Sequence, residues 1–231
     1  MTRIERFESA QAAALAAAQA IAQALGDPGP RTFVATGGRT PGPAYDALSK
    51  MDLAWDEVTV IQTDERFVDP ASADSNAGLI RERLLTGLAA AARFAPLKGD
   101  GPTPDADAEA AEVRLAPLLP ASATLLGMGD DGHIGSLFPI DPNLARWLDP
   151  DETRLVIGVE TSGEPPFIPR ISLTVRALLQ TGLLAILITG EVKRGVIERA
   201  LEDPNPALPV GALLHSAKGP VRIFWAPSPP E

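Results

Sequence analysis

The sequence predicts an α/β fold, a doubly wound and mostly parallel sheet flanked by helices. Two observations carry this. Short apolar runs alternate with helix-like segments along most of the chain, and that alternation is the pattern of a sheet wound with helices. The run at 183–189, L-L-A-I-L-I-T, is nearly all apolar, as suits a parallel strand covered on both faces. No internal repeat or low-complexity linker breaks the pattern, so residues 1–231 read as one domain.

The elements follow in order. Residues 9–25 are alanine-rich, and Gly26 with Pro28 stops the run, so a helix is expected there with Leu15, Ile21 and Leu25 on its apolar side. A strand at 32–35 leads into T-G-G-R-T-P. A helix then starts near Pro41 to Pro43, since proline is favoured in a first turn, and ends near Lys50. The strand at 58–61 runs into T-D-E-R. Residues 76–88 are expected to be helical, with Leu79, Leu84, Leu85 and Leu88 toward the core. G-D-G-P-T-P at 99–104 reads as a surface connection. A helix at 105–119 follows, with acids in its first turn as the macrodipole favours. Strands come next at 123–126 and 155–159, then a proline-rich linker at 162–169 and the run 171–174. The apolar strand at 183–189, a helix at 191–201 and a strand at 221–225 complete the series.

Composition removes several function classes. The net charge of −10 leaves no basic stripe to displace counterions, so no nucleic-acid partner is expected. No stretch of 18 apolar residues and no signal peptide is present, so no membrane partner is expected and a cytoplasmic location is. The absence of cysteine excludes disulfides and thiol chemistry. A monomer or weak homodimer is expected.

Helical crossovers make neighbouring strands parallel, so the loops leaving them gather on one edge, where ligands bind. Four such loops carry unusual chemistry: T-G-G-R-T-P at Thr36, T-D-E-R at Thr63, G-M-G-D-D-G-H at Gly127 and T-G-E-V-K at Thr189. Together they would bring Arg39, Asp64, Arg66, Asp131, His133 and Lys193 to a site for an anion plus an acid–base group. Gly37, Gly38, Arg39 and Thr40 before a helix form either a phosphate cradle or only a tight turn. Arg66 either offers a fork to phosphate or pairs with Asp64 or Glu65. Lys193 opens a helix and is either an anion contact or a solvated lysine. Arg170 is a further candidate anion contact. Histidine is the residue type suited to acid–base work near neutral pH; of the two present, His133 beside Asp131 in a glycine loop reads as the acid–base group, whereas His215 reads as structural.

Two motifs mislead. Gly127-x-Gly129-x-x-Gly132 matches the dinucleotide fingerprint, but Asp130 and Asp131 inside the turn would repel a pyrophosphate. Asp130, Asp131 and His133 match no standard metal spacing, so no metal and no cofactor are expected.

With these motifs in place, the chain resembles the 6-phosphogluconolactonases. The resemblance rests on T-G-G-R-T-P, T-D-E-R-F-V, Ser75-Asn76, G-M-G-D-D-G-H-I-G-S-L-F-P, R-I-S-L-T and I-T-G-E-V-K, in that order between about residues 33 and 214. It implies a Rossmann-like fold and hydrolysis of a small-molecule sugar-phosphate lactone, 6-phosphoglucono-δ-lactone, in the pentose phosphate pathway without a metal. It implies His133 as the catalytic residue, and Arg66 and Lys193 on the substrate's phosphate. Arg39 departs from the family's usual serine, Ile134-Gly135 from a Thr-Ala pair, and the C-terminus lacks an acidic final element. Glucosamine-6-phosphate deaminases share D-G-H but continue to N-E-P, whose glutamate assists ring opening; here Ser136-Leu137-Phe138-Pro139 has no carboxylate. A sugar-phosphate isomerase or deaminase, or a non-catalytic sugar-phosphate sensor, are the alternatives. The sequence singles out no donor for an oxyanion.

Overall fold

The computed structural model describes residues 2, 4–29, 31–160, 167–203 and 208–228. Most of the proline-rich linker expected at 162–169 lies outside the described residues.

The chain opens with a short strand β1 (Ile4–Arg6) and a helix α1 (Ala10–Gly26). Ser9 caps α1 by accepting from the Ala12 N–H at 3.2 Å. The buried face of α1 is mostly alanine, with Ile21 and Leu25, and Leu15 is 43% exposed. The expected apolar side is thus wrong at Leu15. Small side chains let α1 lie close on the sheet, and a leucine there would hold it off.

Strand β2 (Thr32–Ala35) and helix α2 (Gly42–Leu48) follow, then β3 (Thr59–Gln62) and β4 (Asp64–Arg66). Helix α3 (Asn76–Arg83) is shorter than expected, and a separate 3-10 turn at Gly87–Ala91 takes up the rest. Leu88 is 53% exposed, not core, while Leu84 is fully buried. Strand β5 (Arg93–Phe94) precedes α4 (Pro104–Leu115). Pro117 lacks the N–H a longer helix needs, so residues 116–118 form a 3-10 turn.

Strand β6 (Ala121–Leu126) leads through the glycine loop to α5 (Leu144–Trp147). Then come β7 (Val156–Val159), β8 (Arg170–Leu173), α6 (Val175–Leu178) and β9 (Thr181–Thr189). The described chain ends with α7 (Glu191–Glu202), α8 (Pro209–Ser216) and β10 (Val221–Ala226). Among the described residues no helix is long and apolar enough to cross a membrane.

Seven strands form one sheet in the order β1-β10-β9-β6-β2-β3-β5, every neighbouring pair parallel. Alternate side chains divide between two apolar layers. Phe33, Ala35, Val60, Leu183, Leu187 and Phe224 pack with α1, α2 and α3. Val34, Ile61, Leu184, Ile186, Ile188 and Ile223 pack with α4, α7 and α8. Both faces are covered, which accounts for the uninterrupted apolar run of β9.

The T-D-E-R segment is not a loop. Asp64–Arg66 is a strand of a second, antiparallel sheet, β4-β8-β7. The outer edge of β7 is covered by carboxylates of α4. Glu112 accepts from the Leu155 and Val156 N–H groups, and Asp105 accepts from Gly158. Those bonds occupy donors that an exposed edge would offer to another chain.

The order in which strands are added to the parallel sheet reverses between β2 and β6. From β2 the chain proceeds to β3 and β5 on one side; from β6 it proceeds to β9 and β10 on the other. The loops at Thr36 and Gly127 therefore diverge and leave a crevice beyond the strand ends.

Candidate active site

The glycine loop after β6 is a tight turn. Gly129 N–H donates to the His133 carbonyl at 3.0 Å, and Gly132 N–H donates to the Gly129 carbonyl at 3.1 Å. This brings Asp131 and His133 together. The Asp131 carboxylate takes the His133 backbone N–H at 3.1 Å and lies 2.7 Å from Nδ1. A carboxylate at that distance fixes the tautomer with hydrogen on Nδ1 and a lone pair on Nε2. Nε2 has no partner among the described residues. The hydrogen bond from His133, first among several causes, holds the Asp131 carboxyl below its usual range. Gly129 is required by packing: a Cβ there would lie 2.2 Å from imidazole Nδ1 and Cε1. The imidazole also meets Phe138, 4.6 Å between ring centroids.

The antiparallel sheet sets two arginines opposite one another. Arg66 on β4 pairs in register with Arg170 on β8. Like charges directly across a sheet repel. Burial first, then the charge of Arg66, lowers the Arg170 guanidinium from its usual value. Arg170 also lies over Phe138, 5.4 Å from the ring centre. His133 and Arg170 thus both contact the Phe138 ring. Arg66 donates to the Asp74 carbonyl at 2.6 Å.

Arg66 does not pair with Asp64 or Glu65, because both carboxylates are engaged elsewhere. Asp64 accepts from the Thr63 hydroxyl at 2.8 Å and the Ser136 hydroxyl at 2.7 Å. Glu65, 2% exposed, accepts from Gln62 Nε2, Arg66 N, Ser75 Oγ, Asn76 N and Ala77 N. It caps the N-terminus of α3, where a negative charge suits the free N–H groups.

These pieces surround one cavity of about 500 Å³, lined by Thr36, Gly37, Gly38, Arg39, Thr40, Asp64, Arg66, Asn76, Gly127, Met128, Gly129, His133, Gly135, Arg170 and Lys193, among others. The sequence-selected residues are gathered there, with Asp131 behind His133. Arg39 is exposed on the loop after β2, and Lys193 stands in the first turn of α7. Among the described residues none of Arg39, Arg66, Arg170 and Lys193 forms an ion pair. Asn76 and Met128 entered the sequence reading only within the Ser75-Asn76 and glycine-loop motifs, and neither was given a role of its own. For Asn76 the available signal was its place directly after Ser75, at the start of a helix.

A slightly larger hollow, about 590 Å³, lies at the opposite edge of the sheet, beside Ala20, Pro28, Pro120 and Leu183. It carries little chemistry, and its Arg222 is committed to Glu5 by two bonds of 2.7 Å. His215 is also away from the cavity, with Nε2 2.8 Å from the Ala200 carbonyl.

Comparison with known proteins agrees with this architecture. The family model described as glucosamine-6-phosphate isomerases/6-phosphogluconolactonase matches residues 5–225. A 6-phosphogluconolactonase of Caulobacter vibrioides is 44% identical over 228 residues, covering 97% of each chain. One of Mesorhizobium japonicum is 39% identical over 227 residues, covering 96% of this chain and 93% of that one. The crystal structure of a 6-phosphogluconolactonase from Shewanella baltica superposes with a TM-score of 0.90 at 31% identity, covering 98% of each chain. The chain belongs to the glucosamine-6-phosphate isomerase/6-phosphogluconolactonase family.

Proposed function

We propose that the protein hydrolyses 6-phosphoglucono-δ-lactone to 6-phosphogluconate. One observation carries the reading: four cations that form no ion pair among the described residues share a cavity with an imidazole whose Nε2 has no partner among them. The names of the relatives support the same reaction.

In this reading the phosphate is held by Arg39, Arg66, Arg170 and Lys193, with Gly37, Gly38 and Thr40 lending the loop before α2. Phosphate binding then fixes the lactone carbonyl beside His133, so remote binding energy serves orientation. Asp64, whose carboxylate is held by Thr63 and Ser136, faces a sugar hydroxyl and not the phosphate.

His133 Nε2 removes a proton from water as the water oxygen bonds to C1. The tetrahedral intermediate collapses, the bond from C1 to the ring oxygen breaks, and the imidazolium returns the proton to that oxygen. The carboxylic acid formed releases its proton to solvent. Asp131 keeps the imidazole in the required tautomer. General-base assistance of this kind contributes roughly 10²–10⁴ in rate.

The test is proton release on mixing the protein with freshly made lactone. Acceleration over spontaneous hydrolysis, lost in His133→Ala while that variant still binds 6-phosphogluconate, is the expected result. A His133→Ala protein with full turnover refutes the role of the imidazole. No acceleration by the wild type refutes the function.

A further inference from the structure

Asn76 is a polar side chain of the cavity that the proposed chemistry leaves unused. Asn76 is 3% exposed, yet it lines the cavity. Its backbone N–H is fixed by Glu65 at 2.7 Å. Its Nδ2 donates to the Asp64 carbonyl at 2.8 Å, and that acceptor settles which end of the carboxamide is nitrogen. Oδ1 takes no hydrogen bond from the described residues, but it is not among their sealed and unpartnered atoms. A buried carbonyl oxygen that keeps some exposure and lines a cavity is open to that cavity.

The neighbouring loop is shaped to leave this group in place. A Cβ on Gly37 would lie 1.9 Å from Oδ1 and 2.5 Å from Nδ2. Gly37 is therefore glycine because Asn76 occupies the space.

A carbonyl oxygen repels phosphoryl oxygens and accepts from hydroxyls. Beside unpaired cations, it divides the cavity into an anion-binding part and a hydroxyl-reading part. We infer that Asn76 is a specificity-determining residue that accepts a hydrogen bond from one hydroxyl of the sugar through Oδ1. This rests on the proposed sugar-phosphate substrate and adds to it which neutral group the protein reads.

The test is calorimetric binding of 6-phosphogluconate, its 2-, 3- and 4-deoxy analogues, and inorganic phosphate. The wild type should lose about tenfold in affinity on one deoxy analogue, the worth of one hydrogen bond left unmade. Asn76→Ala should bind the parent compound about tenfold more weakly, become indifferent to that same hydroxyl, and bind inorganic phosphate as the wild type does. Gly37→Ala keeps the asparagine but displaces its carboxamide, so it should reproduce that indifference, and the double variant should add nothing further.

Unchanged discrimination in both variants overturns the inference. So does an equal loss for every ligand, inorganic phosphate included, which would mark a purely structural role. A wild type that binds phosphate but no sugar phosphate sinks the proposed function and this inference together. A wild type that hydrolyses the lactone yet ignores every deoxy change sinks only the inference.

Discussion

Replacing Glu65 by glutamine tests how the site is held. The carboxylate accepts five hydrogen bonds, from β3, β4 and the first turn of α3. Glutamine keeps the shape but turns one oxygen into a donor. If the NH₂ takes the place of Oε1, it faces the N–H groups of Arg66 and Asn76. If it takes the place of Oε2, it faces Ala77 N–H and the Gln62 amide, which is itself tied to Leu97 through its oxygen. Either orientation strands at least two donors. Hydrogen bonds to a charged group are worth about 1.5–3 kcal/mol each, so the loss is about 3–6 kcal/mol. Total stability of a folded domain is only about 5–15 kcal/mol. For a chain of this size each kcal/mol lowers Tm by about 2–4 °C, so a drop on the order of 10–20 °C follows. Urea denaturation followed by circular dichroism measures it, as a lower midpoint at an unchanged slope. A loss below about 1 kcal/mol would refute the idea that this carboxylate anchors the Arg66 strand to α3, because a surface substitution costs as little.

Further outcomes follow from single contacts. Gly129→Ala drives a methyl group into the imidazole, so kcat should fall at least about tenfold with the protein folded; steady-state kinetics with unchanged kcat would show the ring free to move aside. Arg66→Met removes one of two opposed guanidiniums, so KM should rise about ten- to hundredfold. Inorganic phosphate should then raise the Tm of the variant less than that of the wild type. Asp131 has a folded pKa below its unfolded one. Its contribution to stability is therefore complete above the ordinary carboxylate value of about 3.9 and is lost as pH falls through the folded value. Asp131→Asn should flatten that acid limb, as read from denaturation midpoints at about pH 6 and about pH 3; the effect is small because the side chain is half exposed.

The parallel sheet and its strand-end loops were legible because both rest on local pattern. Apolar runs such as 183–189 and glycines after strands are visible within a few residues. The second sheet was not legible. Asp64-Glu65-Arg66 looks like any exposed charge run, and nothing local shows that Ser136 and the start of α3 cover its carboxylates. The opposition of Arg66 and Arg170 depends on a register between segments far apart in the chain. Leu15 and Leu88 were misplaced for a related reason. Helical periodicity ranks leucine above alanine, while the buried face of α1 is mostly alanine, with large side chains only at Ile21 and Leu25.

The protein carries a net charge of −10, yet its cavity presents four cations that form no ion pair among the described residues. Charge at distances beyond about 8 Å is largely screened, so the overall balance matters little inside the cavity. What matters is whether nearby carboxylates neutralise the arginines first. Of the acids near the site, Asp64, Glu65 and Asp131 each accept hydrogen bonds from groups other than arginine or lysine side chains. Asp64 is taken by two hydroxyls, Glu65 by amide and hydroxyl groups, and Asp131 by the imidazole and a backbone N–H. Arg66 and Arg170 are thereby left opposite each other with no ion pair among the described residues, an arrangement that an incoming anion would relieve. In the proposed reading, the affinity of this cavity for phosphate depends as much on the groups that keep the acids engaged as on the cations themselves. A Ser136→Ala protein, which frees one oxygen of Asp64 toward Arg170, should accordingly bind inorganic phosphate more weakly than the wild type. Equal binding by the two would show that the acids never competed for the arginines.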